Sequence, residues 1–247
     1  MNSLQVLCLP CAGASAGASF AGWSRHLRRD LRVIPVELPG RGGRSGESAL
    51  TEFHPLVADL ADKMVEFAKS DYVILGHSFG ALLAYECALR LSSLYESEPL
   101  GLFVISCTSP RDYSNERFRR TWDREALEGE LLSINERADQ IIAEPSLAHL
   151  IMGQMKADFE AMAHIEYVRP RAPLSCPIFV LFGEDDTISA SELDGWRECT
   201  NNDFQINAFS GGHSFFERDS SALLNYLSHQ FDRLRHADHK LGGATFV

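Results

Sequence analysis

Three side chains in this sequence, Ser78, Asp186 and His213, have the types and the order needed for nucleophilic catalysis. Ser78 lies in "VILGHSFGALLAYECAL" (73–89), where an apolar run enters Gly76-His77-Ser78-Phe79-Gly80 and a helix-like run leaves it. The pattern is G-x-S-x-G, a nucleophile elbow. A sharp strand-to-helix turn pushes the serine hydroxyl out of a sheet, and the two glycines remove side chains that would collide there. The helix that follows turns its first N–H groups toward developing negative charge. A serine needs a base, and the base needs an orienting carboxylate. "CPIFVLFG" runs into Glu184-Asp185-Asp186, and "FQINAF" is followed by Ser210-Gly211-Gly212-His213. Asp186, three residues past the strand-ending Gly183, is the expected orienter, with Asp185 the alternative and Glu184 pointing along the strand. An oxyanion needs two backbone donors. One is the N–H of Phe79, and the other is expected from Pro10-Cys11-Ala12-Gly13, with Ala12 ahead of Cys11.

Positioning these residues calls for a sheet. Apolar, β-branched-rich runs recur at 4–10, 31–38, 71–78, 100–107, 176–184 and 203–209. Those in the middle lack clean alternation, as in strands buried on both faces of a parallel sheet. Helical spacing fills 51–69, 79–95, 189–199 and 217–235. Alternating strand and helix means α/β with right-handed crossovers. The alternation fails from about 110 to 172, which is charged and helix-prone and is expected to be a helical lid inserted into one domain spanning 1–247. Met152, Met155, Phe159 and Met162 fall at helical spacing within it. They read as packing core or as an adaptable wall for a substrate chain, with Met152, Met155 and Phe159 the candidate contacts. Residues 237–247 have little periodicity and are expected to fray as a flexible tail.

Composition sets the limits. The 247 residues are 45% hydrophobic and 23% charged, with a formal net charge of -11, so nucleic acid and anionic membranes are poor partners. No segment approaches the ~20 apolar residues of a membrane span. The apolar stretch at the N-terminus lacks the preceding Lys or Arg of a signal peptide, so a cytoplasmic location is expected. Cys8 and Cys11 form a CxxC, but no second pair and no zinc-type Cys-His spacing accompany it. All six cysteines are expected to be buried free thiols of a reducing compartment, and no metal site is expected.

The wider pattern resembles the α/β-hydrolase family, and within it the type II, editing thioesterases of nonribosomal peptide and polyketide synthases. The resemblance rests on "LPCAGASAGASFAGW", "VELPGRGGRSGE", "LGHSFGALLAYE", "MKADFEAM", "PLSCPIFVLFGEDD", "GWREC" and "FSGGHSFF", across about residues 7 to 216. "LPGRGGR" and "KADFEAM…PLSCPI" weigh most, since a generic esterase has no reason to carry them. The resemblance implies a mostly parallel sheet flanked by helices, with a lid over an acyl chamber. It implies hydrolysis of acyl groups from the phosphopantetheine thiol of carrier proteins, to clear stalled or misprimed chains or to release intermediates. Ser78 would be the nucleophile, Asp186 the acid and His213 the base. No cofactor of its own is expected, the phosphopantetheine arm belonging to the partner, and a monomer is expected. Members of that family usually carry a segment ahead of the first strand, so an outer strand is expected to be absent.

Carrier proteins are usually acidic, as this chain is, so docking would have to be local. Arg25, Arg28, Arg29 and Arg32, then Arg41 and Arg44, then Arg117, Arg119, Arg120 and Arg124 are the clusters available. The third is preferred because a lid flanks the entrance. The main rival function is a general carboxylesterase or lipase-type hydrolase with the same three residues. An acyltransferase and a hydrolase-fold binding protein without turnover are the others.

Overall fold

Leu4 to Leu9, all buried, form the first strand of the computed structural model, which describes residues 3–135, 137–167, 172–217 and 219–242, without the side chains of 238–242. The strands are β1 (Leu4–Leu9), β2 (Leu31–Pro35), β3 (Tyr72–His77), β4 (Leu102–Ile105), β5 (Ile178–Gly183) and β6 (Phe204–Phe209). They pair in the order β2-β1-β3-β4-β5-β6, and every pairing is parallel. The helices are α1 (Ala16–Phe20), α2 (Phe53–Met64), α3 (Phe79–Tyr95), α4 (Arg124–Ile134), α5 (Ala138–Ile142), α6 (Pro145–Ala163), α7 (Ala190–Asp194) and α8 (Ser221–Gly242).

The sheet has a core on each face, which is why its inner strands read as unbroken apolar runs. Ile74, Leu102, Val104 and Val180 face one core with α2, α3 and α6. Val73, Leu75, Phe103 and Leu181, their neighbours along the strands, face the other with α1 and α8. Within that second core Phe103 stacks on Phe179 at 4.6 Å between centroids and meets the edge of Phe231 at 5.2 Å.

Registry brings the functional ends together. His77 of β3 lies opposite Ile105 of β4, and Ile105 lies opposite Leu181 of β5. Ser78, Ser106 and the turn after Gly183 therefore emerge along one rim. The Ser78 N–H donates to the Ile105 carbonyl at 2.8 Å, and the Ser106 N–H donates to that of Leu181 at 2.8 Å.

Between β4 and β5 the chain builds α4, α5 and α6, where the sequence predicts an insertion. Trp122 and Phe159 pack at 4.4 Å, Phe118 and Phe159 at 5.4 Å, and the Tyr113 hydroxyl donates to the Met162 carbonyl at 2.8 Å. The tail expectation needs correcting in part. Residues 237–242 continue α8, and 243–247 lie outside the described residues. All six cysteines are free and buried. Burial pushes the Cys11 thiol up to about 12, so the CxxC is chemically quiet.

The glycines of the elbow work at two different contacts. A Cβ on Gly76 would fall 2.2 Å from the Gly80 carbonyl oxygen, inside the turn itself. One on Gly80 would fall 2.4 Å from the Pro10 oxygen and 2.5 Å from the Leu9 oxygen, so Gly80 lets α3 approach β1. Both obstacles are backbone and cannot swing aside. Gly80→Ala is expected to cost about 3 kcal/mol, at the upper end for overpacking. Urea unfolding checks this, and an unchanged midpoint would mean that β1 and α3 do not need that approach.

Candidate active site

Ser78 has φ 54° and ψ -120°, a region that side chains other than glycine rarely occupy. It sits between the last residue of β3 and the first of α3, with Phe79 opening the helix. Ser78, Phe79, Ala12, Asp186 and His213 all line one cavity of about 380 Å³, a volume in the usual range for small-molecule sites.

The candidate acid and the candidate base meet. His213 Nδ1 is 3.1 Å from Asp186 Oδ2 and 3.3 Å from Oδ1, and the Thr187 N–H donates to Oδ1 at 2.7 Å. The Asp186 side chain is 2% exposed. Burial opposes its ionisation most strongly. The hydrogen bond and charge of His213, the nearby Ser106 hydroxyl and the Thr187 N–H outweigh that, and hold the carboxyl below the usual carboxylate range. Asp185 is exposed at the rim, its N–H donating to the Gly211 carbonyl at 2.9 Å. Of the two acids it is Asp186, three residues past Gly183, that contacts His213. His213 Nε2 is buried and has no hydrogen-bond partner among the described residues, so the Ser78–His213 bond is not made in this conformation. Such bonds are often long before substrate arrives.

The turn after β1 separates its candidate donors. The Gly13 N–H is occupied, donating to Asp158 Oδ2 at 2.7 Å. Ala12 lines the cavity and Cys11 does not, and the Ala12 N–H has no acceptor among the described residues. Phe159 and Met162 line the cavity, whereas Met152 and Met155 do not. This corrects the expectation for those two methionines. They are 6% and 0% exposed and belong to the core under the lid.

Three features were not read from the sequence. His77, buried inside the motif, donates from Nε2 to the His213 carbonyl at 3.0 Å and so braces the loop that carries His213. Ser214 does the same from the other side, its hydroxyl donating to Ile134 of the lid at 2.7 Å. Ser106 is buried at φ 47° on the cavity wall, its hydroxyl without a well-formed hydrogen bond among the described residues. The x position of G-x-S-x-G is the only sequence signal for any of these.

Burial, with the charge of His213 next, lowers the His77 pKa from 6.5 to about 3. Between those values only the unfolded chain takes up the proton, so stability present above pH 6.5 is lost as pH falls. At pH 5 the loss from this one group is about 2 kcal/mol. His77→Gln keeps an N–H donor but does not titrate, so its stability should change less between pH 7.5 and pH 5 by about that amount. Equal pH dependence in urea unfolding of the two proteins would show that His77 is not responsible.

Among the described residues, no group of three or more His, Cys, Asp or Glu is placed to hold a metal ion, and no helix is long and apolar enough to cross a membrane.

A parallel sheet with a serine elbow after β3 at its rim, a paired acid and histidine after β5 and β6, and a helical insertion between β4 and β5 define an α/β hydrolase. A family model described as the thioesterase domain matches residues 4–231. The chain belongs to that family, the serine hydrolases that act on thioesters. It is 32% identical to the AMB antimetabolite synthetase AmbE of Pseudomonas aeruginosa over 85% of its own length, which is only 10% of that protein. It is 26% identical to the gramicidin S biosynthesis protein GrsT of Aneurinibacillus migulanus, covering 92% of this chain and 88% of GrsT. Among solved structures, the RedJ thioesterase from the prodiginine pathway of Streptomyces coelicolor superposes with a TM-score of 0.82 at 30% identity, over 92% of this chain and 90% of RedJ.

Proposed function

We propose that this chain is a type II thioesterase that hydrolyses acyl groups from the phosphopantetheine thiol of carrier proteins in a nonribosomal peptide or polyketide pathway. The carrying observation is the 3.1 Å contact between His213 and a buried Asp186, in the same cavity as a strained Ser78. In this reading Ser78 attacks the thioester carbonyl while His213 Nε2 takes its proton. Asp186 holds the imidazole with Nδ1–H toward itself and stabilises the imidazolium. The Ala12 and Phe79 N–H groups receive the oxyanion. The C–S bond then breaks and the pantetheine thiol leaves with the proton from His213. A thiol of pKa about 8.5 leaves readily, so little acid assistance is needed. Water, deprotonated by His213, attacks acyl-Ser78; the ester bond breaks, the acid departs and Ser78 recovers its proton. No soluble cofactor takes part, because the phosphopantetheine arrives on the partner. Family membership and GrsT and RedJ support the pathway; six buried free thiols support a reducing, cytoplasmic setting.

Mass spectrometry of an acyl-loaded carrier protein, before and after incubation, tests the reaction. Loss of the acyl mass with free acid as product supports it. Faster cleavage of simple oxygen esters than of acyl-pantetheine would favour a general carboxylesterase, and transfer to a non-water acceptor would favour an acyltransferase.

For docking, the lid arginines are the reading to test. Arg119 and Arg124 make exposed ion pairs with Glu166 at 3.7 Å and Glu128 at 2.6 Å, Arg117 pairs with Glu130, and Arg120 lies over Trp122 at 4.0 Å. Exposed pairs are worth about 0–1 kcal/mol, so an acidic partner can displace them. Arg41 and Arg44 drop out as docking candidates. Arg41 is buried, and Arg44, 11% exposed, is held by Glu47 and Asp59. Arg119→Glu with Arg120→Glu should raise KM for an acyl-carrier about tenfold and leave KM for a small thioester unchanged. Equal effects on both substrates would refute docking there.

A further inference from the structure

Two of the segments that carry the family resemblance, "LPGRGGR" and "KADFEAM", meet inside the protein. Arg41 and Asp158 are 2% and 1% exposed and form a two-pronged ion pair, Nη2 to Oδ1 at 2.6 Å and Nη1 to Oδ2 at 2.7 Å. Asp158 belongs to α6 of the lid, and Arg41 to the loop after β2. Both also grip the turn after β1. Asp158 Oδ2 accepts the Gly13 N–H at 2.7 Å, and Arg41 Nη1 reaches the Ala14 carbonyl at 3.4 Å. That turn runs hard against the lid helix. Gly13 has φ 77°, and a Cβ there would fall 2.2 Å from Met155 Cγ on α6. Neither Arg41 nor Asp158 lines the cavity. A buried ion pair is a poor source of stability, because desolvation offsets most of its attraction. Two-pronged charged hydrogen bonds do fix geometry.

We propose that the Arg41–Asp158 pair positions the oxyanion hole. It anchors the Gly13 amide to the lid helix and so aims the Ala12 N–H, one peptide unit away, over Ser78. Arg41 and Asp158 are positioning residues. A seated lid becomes a condition for catalysis: raising α6 takes Asp158 off Gly13, and the turn loses the contact that holds its donor. The inference rests on the assignment of Ser78 and Ala12 proposed above.

The decisive variant is Arg41→Leu with Asp158→Leu. An apolar pair of similar volume leaves no buried charge, so Tm should stay near that of the parent, while the Gly13 anchor is gone. On a small acyl thioester, kcat should fall about hundredfold, as for loss of an oxyanion donor, with KM changing less than about threefold. A trifluoromethyl ketone that mimics the tetrahedral state should lose affinity in proportion to kcat. Recovery of kcat together with Tm would overturn the proposal, because the pair would then be structural only. Should the leucine pair not fold, Asp158→Asn decides. It keeps an oxygen for the Gly13 N–H but loses the ion pair, so Tm should fall while kcat drops less than about tenfold, well short of the loss of a donor. A kcat that follows Tm down overturns the proposal. Ser78→Ala on the same substrate keeps the two levels apart: turnover surviving in that variant would count against the catalytic assignment itself.

Discussion

Ser78→Ala should leave an acyl-loaded carrier protein intact under conditions in which the parent clears it, with kcat down by up to about 10⁶-fold, the scale seen when a triad nucleophile is removed. Without the hydroxyl no acyl-enzyme forms, and His213 has only bulk water to activate. The fold should be unaffected, because alanine keeps the Cβ and the hydroxyl makes no hydrogen bond among the described residues that the fold would lose. Ser78→Gly makes a sharper companion. It should be equally inactive yet more stable by about 1 kcal/mol, since glycine occupies φ 54° without the strain that serine carries. Thermal melts and intact-protein mass spectrometry read both quantities. Turnover within about tenfold of the parent in either variant would remove Ser78 from the reaction.

Asp186→Asn should lower kcat about 10⁴-fold, and Asp185→Asn should change it less than about threefold. The two carboxylates are adjacent in sequence but differ in surroundings. Asp186 is buried against the His213 ring, while Asp185 is exposed at the cavity rim. Asparagine in place of Asp186 could present an N–H to Nδ1 and favour the wrong tautomer, leaving Nε2 protonated and unable to take the serine proton. The comparison is made on a small thioester, so that carrier docking does not enter. If Asp185→Asn proved the more damaging, the orienting role would move by one residue.

All six strands, the elbow and the lid were legible because each rests on a local signal. Unbroken apolar runs mark strands covered on both faces, and the switch from that pattern to helical spacing at Ser78 marks the turn. The serine, acid and histidine were found the same way, each as a polar residue just past a strand end. Met152 and Met155 show where this kind of reading stops. Helical spacing places Met152, Met155, Phe159 and Met162 on related faces of α6, but only Phe159 and Met162 look into the cavity, and the other two pack beneath it. Spacing sets the angle around a helix axis; which angle faces substrate depends on what the helix lies against. The tail differs for a related reason. Residues 237–242 carry α8 on past the point where its apolar periodicity weakens.

By itself the sequence determined the α/β architecture, the place of the helical insertion and the candidates for the three reacting side chains, because strand burial, turn chemistry and residue order are written in neighbouring letters. Only the tertiary structure decided which aspartate is buried against His213, that His77 and Ser214 brace its loop, and that Arg41 reaches Asp158 across 117 positions of chain. Those contacts depend on distance in space after packing, and no local pattern encodes a meeting between segments that distant in the chain.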